Sequence, residues 1–279
     1  MKDLITFLEK FNYANNGDEF YTRYKDIEKE MNHWNFSGKV VYCNCDNPSF
    51  SNFYKYFKDN FTKHNLKLLI ATYYDKEPKK FVYNGNEEKS ELIKSGRFQD
   101  NIDTLKQCDC VVTNPPYSDN MPIELFELCE KYHKFLLFVG PLHFGYHPKT
   151  FKWFQEGKLN AGCSYINQFS RPEGGEKGVA SAWWTNDAKH ALEHHPELHT
   201  GKKYDHKNMR MFDNQYEGHD VLNIPKEADI PDDYNDLIGT SIRFITHINR
   251  NQFDVIGYKK MKLNGKLTMT KLIIKRKNS

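Results

Sequence analysis

The segment best equipped for chemistry is Asn114-Pro115-Pro116-Tyr117. Two consecutive prolines after the apolar stretch at residues 110–113 fix the backbone and remove two N–H donors. The result is a rigid rim rich in oxygen acceptors, which suits methyl transfer to a conjugated amine. The lone pair of an adenine N6 is delocalised into the ring, so that nitrogen attacks poorly. The Asn114 side-chain carbonyl and the Pro115 backbone carbonyl can each accept one N6 hydrogen. Together they draw the nitrogen toward tetrahedral geometry and aim its lone pair at a sulfonium methyl, while Tyr117 stacks on the base. The amine sheds its proton readily once methylated, so positioning and electrostatics carry the step without a strong general base. A base inside a duplex cannot reach such a corner. Its nucleotide must leave the stack, at a cost of roughly a few kcal/mol. An ordinary proline turn has the same four letters, and the setting decides between the two readings.

That setting is an alternation of strand and helix patterns from Lys39 onward. Residues 39–44 (KVVYCN) read as a buried strand ending in the turn Cys45-Asp46-Asn47-Pro48. Phe50, Phe53, Tyr54, Phe57 and Phe61 then recur at helical spacing, the pattern of a core face. Residues 66–73 and 110–113 read as further buried strands, 121–131 as a helix and 135–139 as another strand, whereas 81–107 are polar and ambiguous. Short apolar strands separated by helices predict a parallel sheet covered on both faces. Ligands of such sheets bind at the carboxyl ends of the strands. The turns at Asp46 and Asn114 both fall at such ends.

Beyond residue 170 the pattern changes. Residues 171–179 (RPEGGEKGV) read as a glycine-rich charged loop, 180–185 as a strand and 186–236 as polar and loop-rich. Residues 253–263 and 266–275, around Asn264-Gly265, read as a hairpin with a type I′ turn. The lysines of this tail fit a solvated, charge-protected edge strand and a phosphate-contacting patch equally well.

Lys and Arg total 40 against 37 Asp and Glu, a net charge of +3, which excludes an acidic tail or a histone-like polycation. A nucleic-acid partner would need a local basic patch. No apolar run approaches the roughly 20 residues of a membrane span, and MKDLITFLEK lacks a signal-peptide core, so a cytoplasmic protein with no membrane partner is expected. The pairs Cys43/Cys45 and Cys108/Cys110 lie in strand-like stretches and lack zinc-knuckle spacing, which marks them as reduced structural thiols. His190, Glu193 and His194 match an inverted zincin pattern, but their polar surroundings read better as a solvated helix end, and no metal is expected.

Several segments besides NPPY resemble the adenine-specific DNA methyltransferases of the EcoRI modification type, within the S-adenosylmethionine-dependent amino-methyltransferases. They are DEFYT at 18–22, CDNPSFSNF at 45–53, WWTN at 183–186, DYNDLIG at 233–239 and FDVIG at 253–257. The resemblance implies an α/β fold, a doubly wound and mostly parallel Rossmann-like core over residues 1–190 with a DNA target-recognition region over 191–279. It implies S-adenosyl-L-methionine as cofactor, double-stranded DNA as partner and a bacterial or phage source. Phe20, Tyr21 and Thr22 would line the methionine end of the cofactor, with Asp46 and Pro48 beside it and Asn114 shared with the target base. Phe98 and Asp100 would flank the cofactor adenine, and Asp75 either binds the ribose hydroxyls or is a solvated loop residue. The glycine-rich first loop of many methyltransferases is replaced by NCDNPSFS. Arg171 and Lys177, around the Gly174–Gly178 stretch, form either a mobile DNA clamp or a surface excursion. Amine acceptors in RNA, in a protein glutamine amide or at cytosine N4 are alternatives, as is an inactive DNA-binding relic of the fold. The intact Asn114 and Tyr117 argue against the relic.

Overall fold

The computed structural model describes residues 21–73, 77–116, 121–171 and 174–277. The chain divides into two compact units, residues 1–141 with 164–187 and residues 142–163 with 188–279. The first holds β1 (Tyr21–Thr22), α1 (Tyr24–Met31), β2 (Val40–Asn44), α2 (Asn52–Asp59), β3 (Leu68–Thr72), β4 (Lys79–Tyr83) and β5 (Glu88–Leu92). It continues with α3 (Ile102–Gln107), β6 (Cys110–Thr113), α4 (Met121–Lys131), β7 (Phe135–Pro141), β8 (Gln168–Ser170), β9 (Glu176–Gly178) and β10 (Ser181–Thr185).

The fold is mixed α/β. In the large sheet the strands of this unit run in the order β5-β4-β3-β2-β6-β7-β10. β3, β2, β6 and β7 are parallel, whereas β4, β5 and β10 join antiparallel. Every residue of β2 and β6 is buried. Strands covered on both faces need apolar side chains at consecutive positions, hence VVYC and CVVT. The ambiguous stretch contains the β4–β5 hairpin, and β5 (EKSEL) is exposed throughout. With neither face buried, no alternating pattern marks it, and its charged residues blunt the sheet edge.

Of the aromatic stripe, Phe53, Tyr54, Phe57 and Phe61 are buried, whereas Phe50 is 53% exposed. The helix begins only after Ser51, whose hydroxyl caps it, so Phe50 lies outside the helical face. Phe53 meets Trp183 edge-on at 5.8 Å and Phe57 meets Phe36 at 5.1 Å. Cys45 likewise departs from the strand expectation, since φ is +60° there and the chain has already turned. No disulfide forms among the described residues.

Gly140 shows how tightly the end of β7 packs. A Cβ there would lie 2.8 Å from Trp184 Cδ1 and 3.0 Å from Phe138 Cε2. Gly140→Ala is therefore expected to cost roughly 1–3 kcal/mol through overpacking, read as a lower urea midpoint with an unchanged m value.

The segment at 171–179 is not simply a loop. β8 and β9 pair antiparallel around Gly174 and Gly175, whose φ angles of +95° and +83° suit a reversal. β1 pairs with the other edge of β8, giving a small sheet of order β1-β8-β9. Glu30 anchors the chain at Ser164, ahead of β8. It is fully buried and accepts from Trp34 Nε1 at 2.9 Å and from Ser164 N at 2.7 Å.

The second unit contains α5 (Pro148–Gln155), α6 (Ala188–Glu193), β11 (Leu222–Asn223), β12 (Ile238–Ser241), β13 (Phe253–Leu263) and β14 (Lys266–Arg276). Its sheet has the order β11-β12-β14-β13. Positive φ at Asn264 (+52°) and Gly265 (+74°) gives the expected type I′ turn. Phe212, Val221, Leu237, Met261 and Ile273 form a core against one face, and Tyr258 packs edge-on to Phe151 at 4.8 Å. Among the described residues no helix is long and apolar enough to cross a membrane.

Candidate active site

After β2 the chain steps to β3 on one side of the sheet and later to β6 and β7 on the other. The carboxyl ends of β2 and β6 are thus neighbours where the strand order reverses, the place where open sheets bind ligands. Asp46 ties these two ends together. Its backbone N–H donates to the Thr72 carbonyl at 3.0 Å, anchoring the turn to β3. Its carboxylate accepts from Ser51 Oγ at 2.6 Å and from Thr113 Oγ1 at 3.1 Å. Ser51 in turn accepts from Phe53 N at 3.2 Å and Tyr54 N at 3.3 Å, capping α2. Thr113 immediately precedes Asn114, so one carboxylate spans the first strand end, the helix start and the proline corner.

Asp46 is buried, and desolvation pushes its carboxyl up to about 7, against the opposing pull of the Ser51 and Thr113 hydrogen bonds. The Thr113 hydroxyl also donates to the Asn44 carbonyl. A single hydroxyl hydrogen cannot fully serve both acceptors. A protonated Asp46 resolves the conflict by donating to Thr113 itself.

β1 lies against the same turn. Asn52 Nδ2 donates to the Thr22 carbonyl at 2.8 Å, and the Tyr21 and Phe50 rings are 5.4 Å apart. Thr22 Oγ1 and Asn44 Nδ2 are buried with no hydrogen-bond partner among the described residues. The Asn44 amide orientation is set by Cys45 Sγ, which donates to Asn44 Oδ1 at 2.5 Å. Two orphaned polar groups and a desolvated carboxyl at one strand end make a wall suited to a polar ligand. Pro48 and Phe50 also line an open groove of about 360 Å³ with Lys55, Lys58 and Glu88.

The profile of the family described as the EcoRI adenine-specific methyltransferase matches residues 7–96 and 86–279, nearly the whole chain. The chain belongs to that family. Type II methyltransferase M.EcoRI of Escherichia coli is 32% identical to it over 93% of each chain. Type II methyltransferase M.MpnI of Mycoplasma pneumoniae is 30% identical over 86% of this chain and 82% of its own length. M.MgeORF184P of Mycoplasma genitalium is 29% identical over the same shares. No solved structure matches. Membership in the EcoRI family makes the chain a site-specific adenine DNA methyltransferase.

For this EcoRI-family enzyme the structure brings Tyr21, Thr22, Asp46 and Pro48 to one strand end, next to β6. Asn114 is half-buried, Pro115 buried and Pro116 exposed. Phe98 is buried and Asp100 exposed, and no hydrogen bond or ring contact among the described residues links either to the Asp46 cluster. Phe20, Asp75 and Tyr117 lie outside the described residues. Lys177 stands on β9 opposite Phe169, which itself faces Thr22 on β1. Arg171 closes the turn, its N–H donating to the Gly175 carbonyl at 3.1 Å. Just past the end of α6, His194 Nδ1 donates to the His190 carbonyl at 3.0 Å. Sequence reasoning missed Asn44, Ser51, Asn52 and Thr113. Ser51 alone carried a readable signal, a serine just before a helical apolar pattern.

Proposed function

We propose that this chain transfers a methyl group from S-adenosyl-L-methionine to N6 of an adenine flipped out of double-stranded DNA. The supporting observation is the Asp46 carboxylate, hydrogen-bonded to both Ser51 and Thr113, which joins the acidic turn to the proline corner. On this reading the parallel strands and their flanking helices form a doubly wound, Rossmann-like methyltransferase core, residues 1–190. Residues 191–279 recognise the DNA target.

The residues fit the amino-acid end of such a cofactor. Asp46 offers a carboxylate to an ammonium group, and the orphaned Thr22 Oγ1 and Asn44 Nδ2 offer hydrogens to a carboxylate. Tyr21, Pro48 and, beyond the described residues, Phe20 give it apolar walls. When bound, the cofactor supplies an electrophilic methyl on sulfonium sulfur. Asn114 and Pro115 accept the two N6 hydrogens through their carbonyl oxygens, and Pro116 keeps the rim rigid. Tyr117 stacks on the base. Phe98, Asp100 and Asp75 remain candidates for the cofactor's nucleoside end.

The test is incubation of the purified chain with methyl-labelled cofactor and plasmid DNA, followed by nucleoside mass spectrometry. Label in N6-methyladenine is the expected result. Label in N4-methylcytosine, or transfer to RNA alone, overturns the reading. Arg171 and Lys177, on the hairpin that continues the sheet of Tyr21 and Thr22, are assigned to the DNA backbone. Replacing both with alanine is expected to weaken binding and flatten the slope of log affinity against log salt by about 2. An unchanged slope removes them from the interface.

A further inference from the structure

We infer that the β13–β14 hairpin is a DNA-inserting ribbon whose tip side chains, Leu267 and Met269, press between base pairs. The inference rests on the proposed DNA substrate and adds a second point of engagement to it. Leu267 and Met269 flank a β-bulge near the turn, where the register shifts between Lys260 and Lys262 and Thr268 and Met269 together oppose Met261. Leu267 and Met269 are 65% and 84% exposed. Two large apolar side chains therefore stand in solvent near the tip of the ribbon.

The pair is flanked by positive charge. Lys262 stands directly opposite Leu267, and Lys266 stands opposite Leu263 at the turn. Lys260 is opposite Thr270, and these three lysines are exposed, with no acidic partner among the described residues. Edge protection alone accounts for lysines. It does not account for two large apolar side chains placed outward among them. Cations that hold phosphates beside apolar wedges that part a base step are the two elements of inserting DNA binders, and a two-stranded ribbon fits a DNA groove.

The tip is also held stiff. Asp213 N donates to the Lys262 carbonyl at 2.8 Å and Asn214 Oδ1 accepts from Lys262 N at 2.5 Å, which occupies the open edge of β13. Asp213 Oδ2 accepts from Gly265 N at 2.7 Å, fastening the turn. A braced ribbon loses little conformational freedom on binding, so its wedge is ready before contact.

The experiment compares the full chain with a Leu267→Thr, Met269→Thr double variant, in which threonine preserves strand propensity. Each is bound to closed-circular plasmid, relaxed with topoisomerase and deproteinised, and the linking number is read on a gel. Unstacking a step untwists the duplex, so the wild-type chain is expected to shift the topoisomers. The variant loses that shift and methylates the plasmid about tenfold more slowly, with its salt slope unchanged. A variant that shifts the topoisomers like the wild type overturns the ribbon, as does a wild-type chain that methylates the plasmid without shifting them. A wild-type chain that methylates no DNA overturns the underlying reading instead. Loss of self-association in the variant with both DNA readouts intact assigns the pair to a contact with a second copy of the chain and also overturns the proposal. A measurement without substitution guards against misfolding. Plasmid is expected to slow peroxide oxidation of Met269 at least fivefold relative to Met211, and equal oxidation overturns the proposal.

Discussion

Asn114→Ala is expected to slow methyl transfer by a factor on the order of 10²–10³ while still binding S-adenosylmethionine, with affinity reduced no more than about tenfold. The magnitude is that of removing one preorganised hydrogen-bonding group aimed at a centre whose charge changes in the transition state. Binding is expected to survive because the proposed cofactor wall is Thr22, Asn44 and Asp46, and Asp46 is held by Ser51 and Thr113. Single-turnover kinetics on methyl-labelled cofactor separate the chemical step from product release, and equilibrium dialysis reads the cofactor. Asn114→Asp keeps an acceptor oxygen at the same position and is expected to recover part of the rate. An alanine variant that transfers methyl groups at the wild-type rate ends the acceptor mechanism.

Asp46→Asn separates stability from binding. Burial raises the Asp46 carboxyl to about 7 in the folded chain, against about 3.9 for an unfolded aspartate. Between those values the folded state holds more protons than the unfolded one, so stability falls as pH rises from about 4 to 7 and stays low above. For a wholly buried group the penalty reaches roughly 4 kcal/mol. Asparagine mimics the protonated acid, offering an oxygen to Ser51 and an N–H to Thr113. Without cofactor the variant should therefore match the wild type near pH 4 and melt several degrees higher at pH 8. Cofactor binding runs the opposite way. A cationic ligand group lowers the carboxyl's affinity for its proton, so the wild type releases a proton on loading near pH 6.5. The variant releases none and binds on the order of 10–100-fold more weakly. Calorimetry in buffers of differing ionisation enthalpy reads both quantities. Equal affinity with equal proton release in the two proteins removes Asp46 from the cofactor site.

The sequence was most informative where burial is complete. VVYCN and CVVT are strands at the expected places, because a short apolar run flanked by polar turns fits little besides a strand covered on both faces. Reading failed where the signal depends on partners distant in the chain. β5 has no buried face, so nothing in EKSEL distinguishes it from a loop. β8 and β9 are three residues each, too short for a period, and the Gly174-Gly175 pair reads as flexibility although it is a reversal between paired strands. The direction of β10 was also hidden, since an apolar pentapeptide looks the same whether it runs with β7 or against it. At the site, Asp46 stood out by position. Its dependence on Thr113, 67 residues away, follows only from the parallel pairing of β2 with β6.

The small β1-β8-β9 sheet carries one more consequence. A strand of two residues has no stability of its own, and strands of three have little more. Each persists because the others complete it. Tyr21 and Thr22 occupy one outer row of this patch and Lys177 the opposite row, with Phe169 as the shared rung between them. Whatever grips either row stiffens the common element, lowering the entropic toll for a guest on the far side. Thermodynamic reciprocity then makes the benefit mutual, so a duplex that tightens the hold on a small molecule is itself held tighter by it, by an equal factor.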